Sequence, residues 1–480
     1  MATNLSATGV SGVVTASAPA AANSREEMPG KFIFYVLLAH LAVTMLTLGS
    51  RIPGFGIIRP TLTFVAFIWG WWFWVGLRTE VTSGISTPWG RRLAILIAVS
   101  ILSLPFTKYP GSVLNQGLPS LIKVASFLFF CMFLCTTWQR LRTFVWAWVG
   151  CQIFRVMQPV FMHVTMGYWG DSAYMGEGDF LNRLAGAPGD IVNPNGLGFI
   201  VASVLPFLHY LVMSQPRQRM LKLAYVLILA GMLYGLVLTG SRSAMLALAI
   251  DVLMIAWRSK HRLLVFSLIG ITAAIAVNYM SADLIDRYES LVSDNTRNAS
   301  TRQGRVSGAI GDFEFGLTRP VFGYGLGTSH EANWNMKHDR YISHDMYAET
   351  TIELGLVGLG ILISYLAAIV GAVGESRKYL ARAPPQADGY VFLSSLTSAL
   401  RVWVPMAIIF FFAQYGLREP DWYLMGGIAG ALWMLSKKAA ESGDAAAALP
   451  APAEPARPLR RAGGRQLRPL TSRPGSNRSA

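Results

Sequence analysis

Charge is what this chain has least of. Charged residues make up 14% of its 480 residues, against about 25% in an ordinary soluble domain. With 53% hydrophobic residues and a mean hydropathy of +0.41, that deficit excludes a soluble globular protein. Cysteine is nearly absent too. Cys131, Cys135 and Cys151 all lie inside apolar runs, so they read as small buried hydrophobes rather than disulfide partners or metal ligands. A secretory signal is also missing: residues 1–30 are polar, rich in Ala, Ser and Thr, and place Glu26 and Glu27 close before the first apolar run. The first span is therefore expected to stay in the membrane. No internal repeat is visible, which counts against an inverted-repeat transporter.

What the chain does have is a series of apolar runs, most long enough for a bilayer core. They fall near 32–49, 57–77, 91–106, 119–137, 141–166, 195–213, 220–239, 243–257, 262–280, 354–373, 391–415 and 421–436. The expectation is an all-α polytopic integral membrane protein with about 12 transmembrane helices. The chain then divides into a disordered cytoplasmic N-terminus (1–30), helices 1–9 (31–280), a large periplasmic loop (281–353), helices 10–12 (354–436) and a disordered basic cytoplasmic tail (437–480).

The formal net charge of +15 does not point to nucleic acid. Its basic residues sit in short loops and in the tail: Arg78, Arg91 and Arg92, then Arg140 and Arg142, Arg217 and Arg219, Arg258 and Lys260, Arg377 and Lys378, Lys437 and Lys438. That alternation is the positive-inside pattern, and it places both termini in the cytoplasm and both 167–193 and 281–353 outside. The tail either touches anionic headgroups or is merely solvated in the cytoplasm, and the second reading is preferred.

The stretch from Asp283 to Glu353 is the one long polar segment. It carries Arg287, Arg297, Arg302, Arg305, Arg319 and Arg340, with His330, His338 and His344. Structureless loops this long are usually functional, and arginines on the outer face call for an anionic ligand. The histidine spacings match no familiar metal frame and no cysteine accompanies them, so no metal is expected. One histidine as general base fits better. Gly323-Tyr324-Gly325-Leu326-Gly327 lacks the Lys and Ser/Thr of a nucleotide loop and reads as a turn.

Outside that segment, Thr239-Gly240-Ser241-Arg242-Ser243 breaks two spans at the outer face. Arg242 there is either a snorkelling interfacial arginine or a ligand group, and the second reading is preferred. Asn193-Pro194-Asn195-Gly196 supplies an N-cap and a first-position proline. The helix start is then either a simple cap or an anion site, with Arg183 near enough in sequence to add charge. Gln152, Arg155, Pro159 and His163 recur at helical spacing along one span. Arg155 must therefore pair with an acid or line a cavity, since a charge at depth costs roughly 2.5–3.5 kcal/mol. Asp251 and Arg401 pose the same question and are candidates to pair with each other.

Arg305, Pro320-Val321-Phe322-Gly323-Tyr324-Gly325, His344-Asp345-Met346-Tyr347 and Glu353-Leu354-Gly355-Leu356-Val357-Gly358 together resemble the bacterial O-antigen ligases and the related O-antigen or exopolysaccharide polymerases. Thr239–Arg242 and Asn193–Asn195 match two further landmarks in order, so the likeness covers roughly 183–360. The chain departs at Asp345, where the family usually has Asn or Ser. The resemblance implies an inverting glycosyltransferase of the inner membrane, working on the periplasmic face without metal, nucleotide or other cofactor. Its donor would be a glycan on undecaprenyl diphosphate, and its acceptor a glycan, lipid A-core or protein. It further implies His344 as the base, Arg242 and Arg305 as catalytic diphosphate clamps, and Arg183, Asn195, Arg155 and Glu353 as substrate-binding or orienting residues. From another class, a glycan-lipid flippase or exporter would place charges along a central path, for which Arg155, Asp251 and Arg401 are the candidates.

Overall fold

In a bilayer every backbone polar group needs an internal partner, which leaves these apolar runs only the helix. The computed structural model describes residues 30–76, 84–176, 179–215, 218–259, 299–337 and 343–448, with the isolated positions 262, 263, 267, 285, 286 and 289. Its longer helices are α1 (Lys31–Met45), α2 (Pro60–Gly76), α3 (Pro88–Leu102), α4 (Leu118–Leu134), α5 (Trp138–Met166), α6 (Pro194–Met213), α7 (Arg219–Thr239), α8 (Arg242–Trp257), α9 (Ala299–Leu317), α10 (Met346–Arg382), α11 (Tyr390–Phe410) and α12 (Pro420–Ala448). The chain is a mostly helical polytopic membrane protein. Among the described residues, α6, α7, α10, α11 and the helical stretch Pro110–Leu134 are each long and apolar enough to cross a bilayer, and α1 is apolar but shorter.

Local signals set the helix starts. Pro60, Pro88, Pro194 and Pro420 each open a helix, where their missing N–H is no loss. Thr87, Thr137, Asn193, Ser241 and Asp345 cap with their side chains. Packing then orders the bundle. α12 lies against α4 and α10, α11 against α6, and α6 between α7 and α8. Phe199 of α6 stacks on Phe410 of α11 at 4.4 Å, and Trp148, Trp403 and Trp422 are fully buried.

Five stretches differ from the sequence expectation. The polar region 281–353 is not one irregular loop: α9 occupies Ala299–Leu317, and α10 begins at Met346. The expected span 354–373 is thus the middle of a 37-residue helix, broken at Gly355 (φ 65°, ψ −166°). Residues 167–193 hold an antiparallel hairpin, β1 (Gly170–Gly176) on β2 (Asp179–Leu184), with Asp171 opposite Arg183. α1 stops at Met45, where Thr47 turns left-handed at φ 50°. Finally, α12 runs on to Ala448, past the expected tail boundary at 437, with Lys437 and Glu441 one turn apart at 3.9 Å. The N-terminus to residue 29, the tail from 449, His338, Arg340 and nearly all of the expected span 262–280 lie outside the described residues.

Candidate active site

His344 stands immediately before α10. Asp345 caps that helix, its Oδ1 accepting the N–H of Tyr347 at 2.7 Å and of Ala348 at 3.0 Å. The Asp345 carboxyl is pushed up by burial, against the two backbone bonds that favour its charge. Asp, Asn and Ser are interchangeable as N-caps within a few tenths of a kcal/mol, which accounts for Asp at this position of the resemblance. The next N–H, that of Met346, donates to the Phe411 carbonyl at 3.0 Å. The histidine is therefore held between a capped helix and the loop after α11.

α9 supplies the charges around it. Arg305 and Asp312 are seven residues apart, two turns along one helix face. Both act electrostatically on His344: burial and the Arg305 guanidinium hold the imidazole below its usual 6.5, while Asp312 pulls the other way. At neutral pH the ring is uncharged and keeps an acceptor nitrogen. Asp312 accepts from Lys337 Nζ at 2.8 Å. The Tyr415 ring lies 6.3 Å from the imidazole.

The break in α10 is what joins the two glycine motifs. It leaves the carbonyls of Ile352 and Glu353 without helical partners, and they accept Tyr324 N–H at 2.8 Å and Gly325 N–H at 3.0 Å, while Leu356 N–H donates to Pro320 at 2.6 Å. A Cβ on Gly355 would meet the Val321 carbonyl at 2.5 Å, and one on Gly323 would meet the Ile352 oxygen at the same distance. Both positions have positive φ, so only glycine fits. Glu353 is fully buried, and its carboxylate accepts Gly327 N–H at 2.7 Å and Ser329 N–H at 3.3 Å. One turn earlier, Glu349 accepts Gly416 N–H at 3.0 Å and Leu417 N–H at 3.3 Å. Arg418 Nη2 lies 3.7 Å from Glu349 and 3.6 Å from Glu353. Glu353 thus orients the turn that the glycine run was expected to make.

A second group forms where α6, α8 and β2 converge. Arg183 donates to the Thr239 carbonyl at 2.8 Å and to Asn195 Oδ1 at 3.0 Å, and Ser241 Oγ donates to the same oxygen at 2.9 Å. Arg242, next in the chain, is 6% exposed. A buried head is not what a snorkelling arginine has. Asn193 accepts Gly196 N–H at 2.8 Å, so this helix start is capped in the ordinary way.

Arg155 meets an acid that sequence spacing did not indicate. Both oxygens of buried Asp190 accept from it at 2.9 Å, and Arg51 adds a third bond at 2.9 Å. Asp190 is in the turn before α6 rather than on a helix, and Arg155 also lines a cavity of about 220 Å³. Asp251 and Arg401 do not pair. The Asp251 carboxylate has no hydrogen-bond partner among the described residues, and Arg258 and Arg377 are the charges that act on Arg401. His163 holds the turn after α5 through the Tyr168 carbonyl at 2.9 Å. His330 is exposed and takes no part in these networks.

Asn193 and Gly196 at the start of α6 line this cavity, as does Tyr415, whose ring is the one 6.3 Å from the His344 imidazole. Asp312, Glu349, Arg418, Asp190 and Tyr415 escaped the sequence reading. Only Glu349 left a trace, at the i, i+4 spacing from Glu353.

Compared with known protein families, residues 227–363 match the model described as O-antigen ligase. The matched stretch contains Arg242, Arg305, His344 and Glu353, and stops short of Arg183, Asn195 and Arg418. No curated protein matches the chain.

Proposed function

We propose, from the O-antigen ligase domain that residues 227–363 carry, that this protein is a glycosyltransferase of the bacterial inner membrane. In this reading it moves a glycan from undecaprenyl diphosphate to an acceptor hydroxyl at the periplasmic face. The observation that carries the reading is the setting of His344, exposed at the Asp345-capped start of α10, with Arg305 and Asp312 of α9 acting on its imidazole.

The acceptor O–H attacks the anomeric carbon as the bond from that carbon to the diphosphate oxygen breaks, with inversion. The proton passes to His344, and undecaprenyl diphosphate leaves with the bonding electron pair. Arg305 and Arg242 stabilise the charge that grows on the diphosphate. Arg183 and Asn195 hold the turn that presents Arg242. Glu353 orients the glycine turn, and Arg155 acts through the Asp190 pair. The donor carries its own leaving group, so no cofactor is required. The acceptor is another lipid-linked glycan in a polymerase, and lipid A-core or protein in a ligase. A flippase path of charges has little support, because Arg155 is paired with Asp190, and Asp251 has no hydrogen-bond partner among the described residues.

The test is transfer in vitro from a purified lipid-diphosphate glycan. His344→Ala should lose about 10²–10⁴-fold in rate with unchanged expression and membrane insertion. Wild-type transfer by that variant would remove the base and, with it, this reading. Glycans of a deletion strain separate the two acceptors: capped single repeats mean a polymerase, full-length unattached lipid-linked chains a ligase.

A further inference from the structure

The cavity between α5, α6 and the α11–α12 loop is built for something other than a phosphate. Among the described residues, Arg155 is the one cation in its lining, and Asp190 already holds that guanidinium through two bonds at 2.9 Å. Glu419 and Asp421 add carboxylates to the same wall. The Arg155 guanidinium is already engaged, and a diphosphate would meet carboxyl groups in the same lining.

The remaining lining is uncharged and incompletely bonded. Thr44 Oγ1 and Gln414 Oε1 are both buried without a hydrogen-bond partner among the described residues, and both residues line this cavity. An unmade bond at a buried polar group costs about 1–3 kcal/mol, so turning either side chain toward the cavity, where a ligand supplies the partner, is favoured once the ligand is there. Gln152 adds a second amide, its Oε1 accepting from Arg155 at 3.2 Å. Phe199, Phe411 and Tyr415 supply flat apolar walls. Hydroxyls that each donate and accept, set around a ring with apolar C–H faces, satisfy such a surface; an anion or a lipid chain does not. At about 220 Å³ the space is smaller than the roughly 300–1,000 Å³ of sites for drug-sized ligands, so it takes one ring.

We propose that this cavity, lined by Thr44, Gln152, Gln414, Tyr415 and Asp421, binds a single sugar residue of a glycan substrate and sets it one side chain away from His344. The inference rests on the glycosyltransferase reading, and it leaves open to measurement whether the sugar belongs to donor or acceptor.

The experiment uses the full-length protein in nanodiscs, with Thr44→Val and Gln414→Leu singly and together. These substitutions keep shape and remove the orphan polar atoms. In transfer assays, each should raise the KM for one glycan substrate about tenfold while kcat changes less than threefold. Titrating donor at fixed acceptor, and the reverse, tells which substrate the sugar belongs to. Unchanged KM for both substrates in the double variant overturns the site while leaving the enzyme reading intact.

Saturation-transfer NMR with methyl glucoside, N-acetylglucosamine and rhamnose supplies a readout independent of turnover, with inorganic diphosphate as the anion control. Sugar signal should be present in the wild type and in His344→Ala and absent from the double variant. Equal signal in the double variant, signal from diphosphate alone, or no sugar signal from the wild type also overturns the site. Should the wild type transfer no glycan at all, the enzyme reading fails and the NMR arm decides the cavity by itself. Matched melting temperatures and elution profiles exclude misfolding.

Discussion

Glu353 accepts the backbone N–H of Gly327 at 2.7 Å, so an acid on the helix that follows His344 clasps a loop 26 residues earlier in the chain. The carboxylate has a second bond to Ser329 N–H and Arg418 close by. It therefore ties three segments together from inside the protein.

That clasp needs two acceptor oxygens. Glu353→Gln turns one of them into a donor facing a donor, and a lost bond to a charged group costs about 1.5–3 kcal/mol. The expected result is a lower melting temperature in detergent and reduced transfer. Arg418→Met should cost more, about 3–5 kcal/mol, since it leaves two buried acids without their cation. A wild-type melting temperature in both variants would contradict the clasp.

The acid limb of the pH–rate profile reports His344. Because burial and Arg305 lower its pKa, the base stays deprotonated, and activity persists, to a pH below 6.5. Arg305→Gln removes a repelling charge, so in its residual activity the limb moves up toward 6.5. Asp312→Asn removes the group that stabilises the imidazolium, and the limb moves further down. Limbs that stay put, or move in the opposite sense, would detach Arg305 and Asp312 from the histidine.

Asp345 is used as a cap. Asp345→Asn keeps an oxygen for Tyr347 and Ala348 and should retain most activity. Asp345→Ala should lose about 0.5–2 kcal/mol of stability and disorder the placement of His344. Calorimetry with parallel transfer assays checks both, and a strong loss in the Asn variant alone would assign the carboxylate a chemical role.

Arg242→Lys separates a clamp from a charge. A guanidinium can bridge diphosphate oxygens with two parallel bonds, which an ammonium cannot. One lost charged bond, about 1.5–3 kcal/mol, corresponds to roughly ten- to hundred-fold in rate. Arg242→Lys should fall by that much and Arg242→Ala further. Wild-type transfer by the lysine variant would make Arg242 structural.

Orientation is checked with single cysteines in a background lacking the native three. Ser329 is buried, whereas Ser307 on α9 and Ser442 near the end of α12 are exposed. An impermeant thiol reagent added to spheroplasts should label Ser307→Cys and spare Ser442→Cys. The reverse pattern would move His344 to the cytoplasm.

Composition by itself determined that this chain is a helical membrane protein, because a bilayer leaves a sequence this apolar no other way to pair its backbone. Pro194, Asn193 and the Thr239–Arg242 break were legible for the same local reason, since caps and prolines act on their own few residues. The singling out of His344 among the histidines rested on resemblance alone. Tertiary structure alone decided its partners. Whether Arg155 meets Asp190 or an acid on another helix, and whether Asp251 finds Arg401, depends on how helices rotate in the bundle, which no local propensity encodes. α9 hid inside a polar stretch because its amphipathic pattern has meaning only once α10 covers one side. The break at Gly355 looked like the start of a span, since a glycine beside an apolar run gives the same signal whether a helix begins there or bends around a loop that arrives from elsewhere.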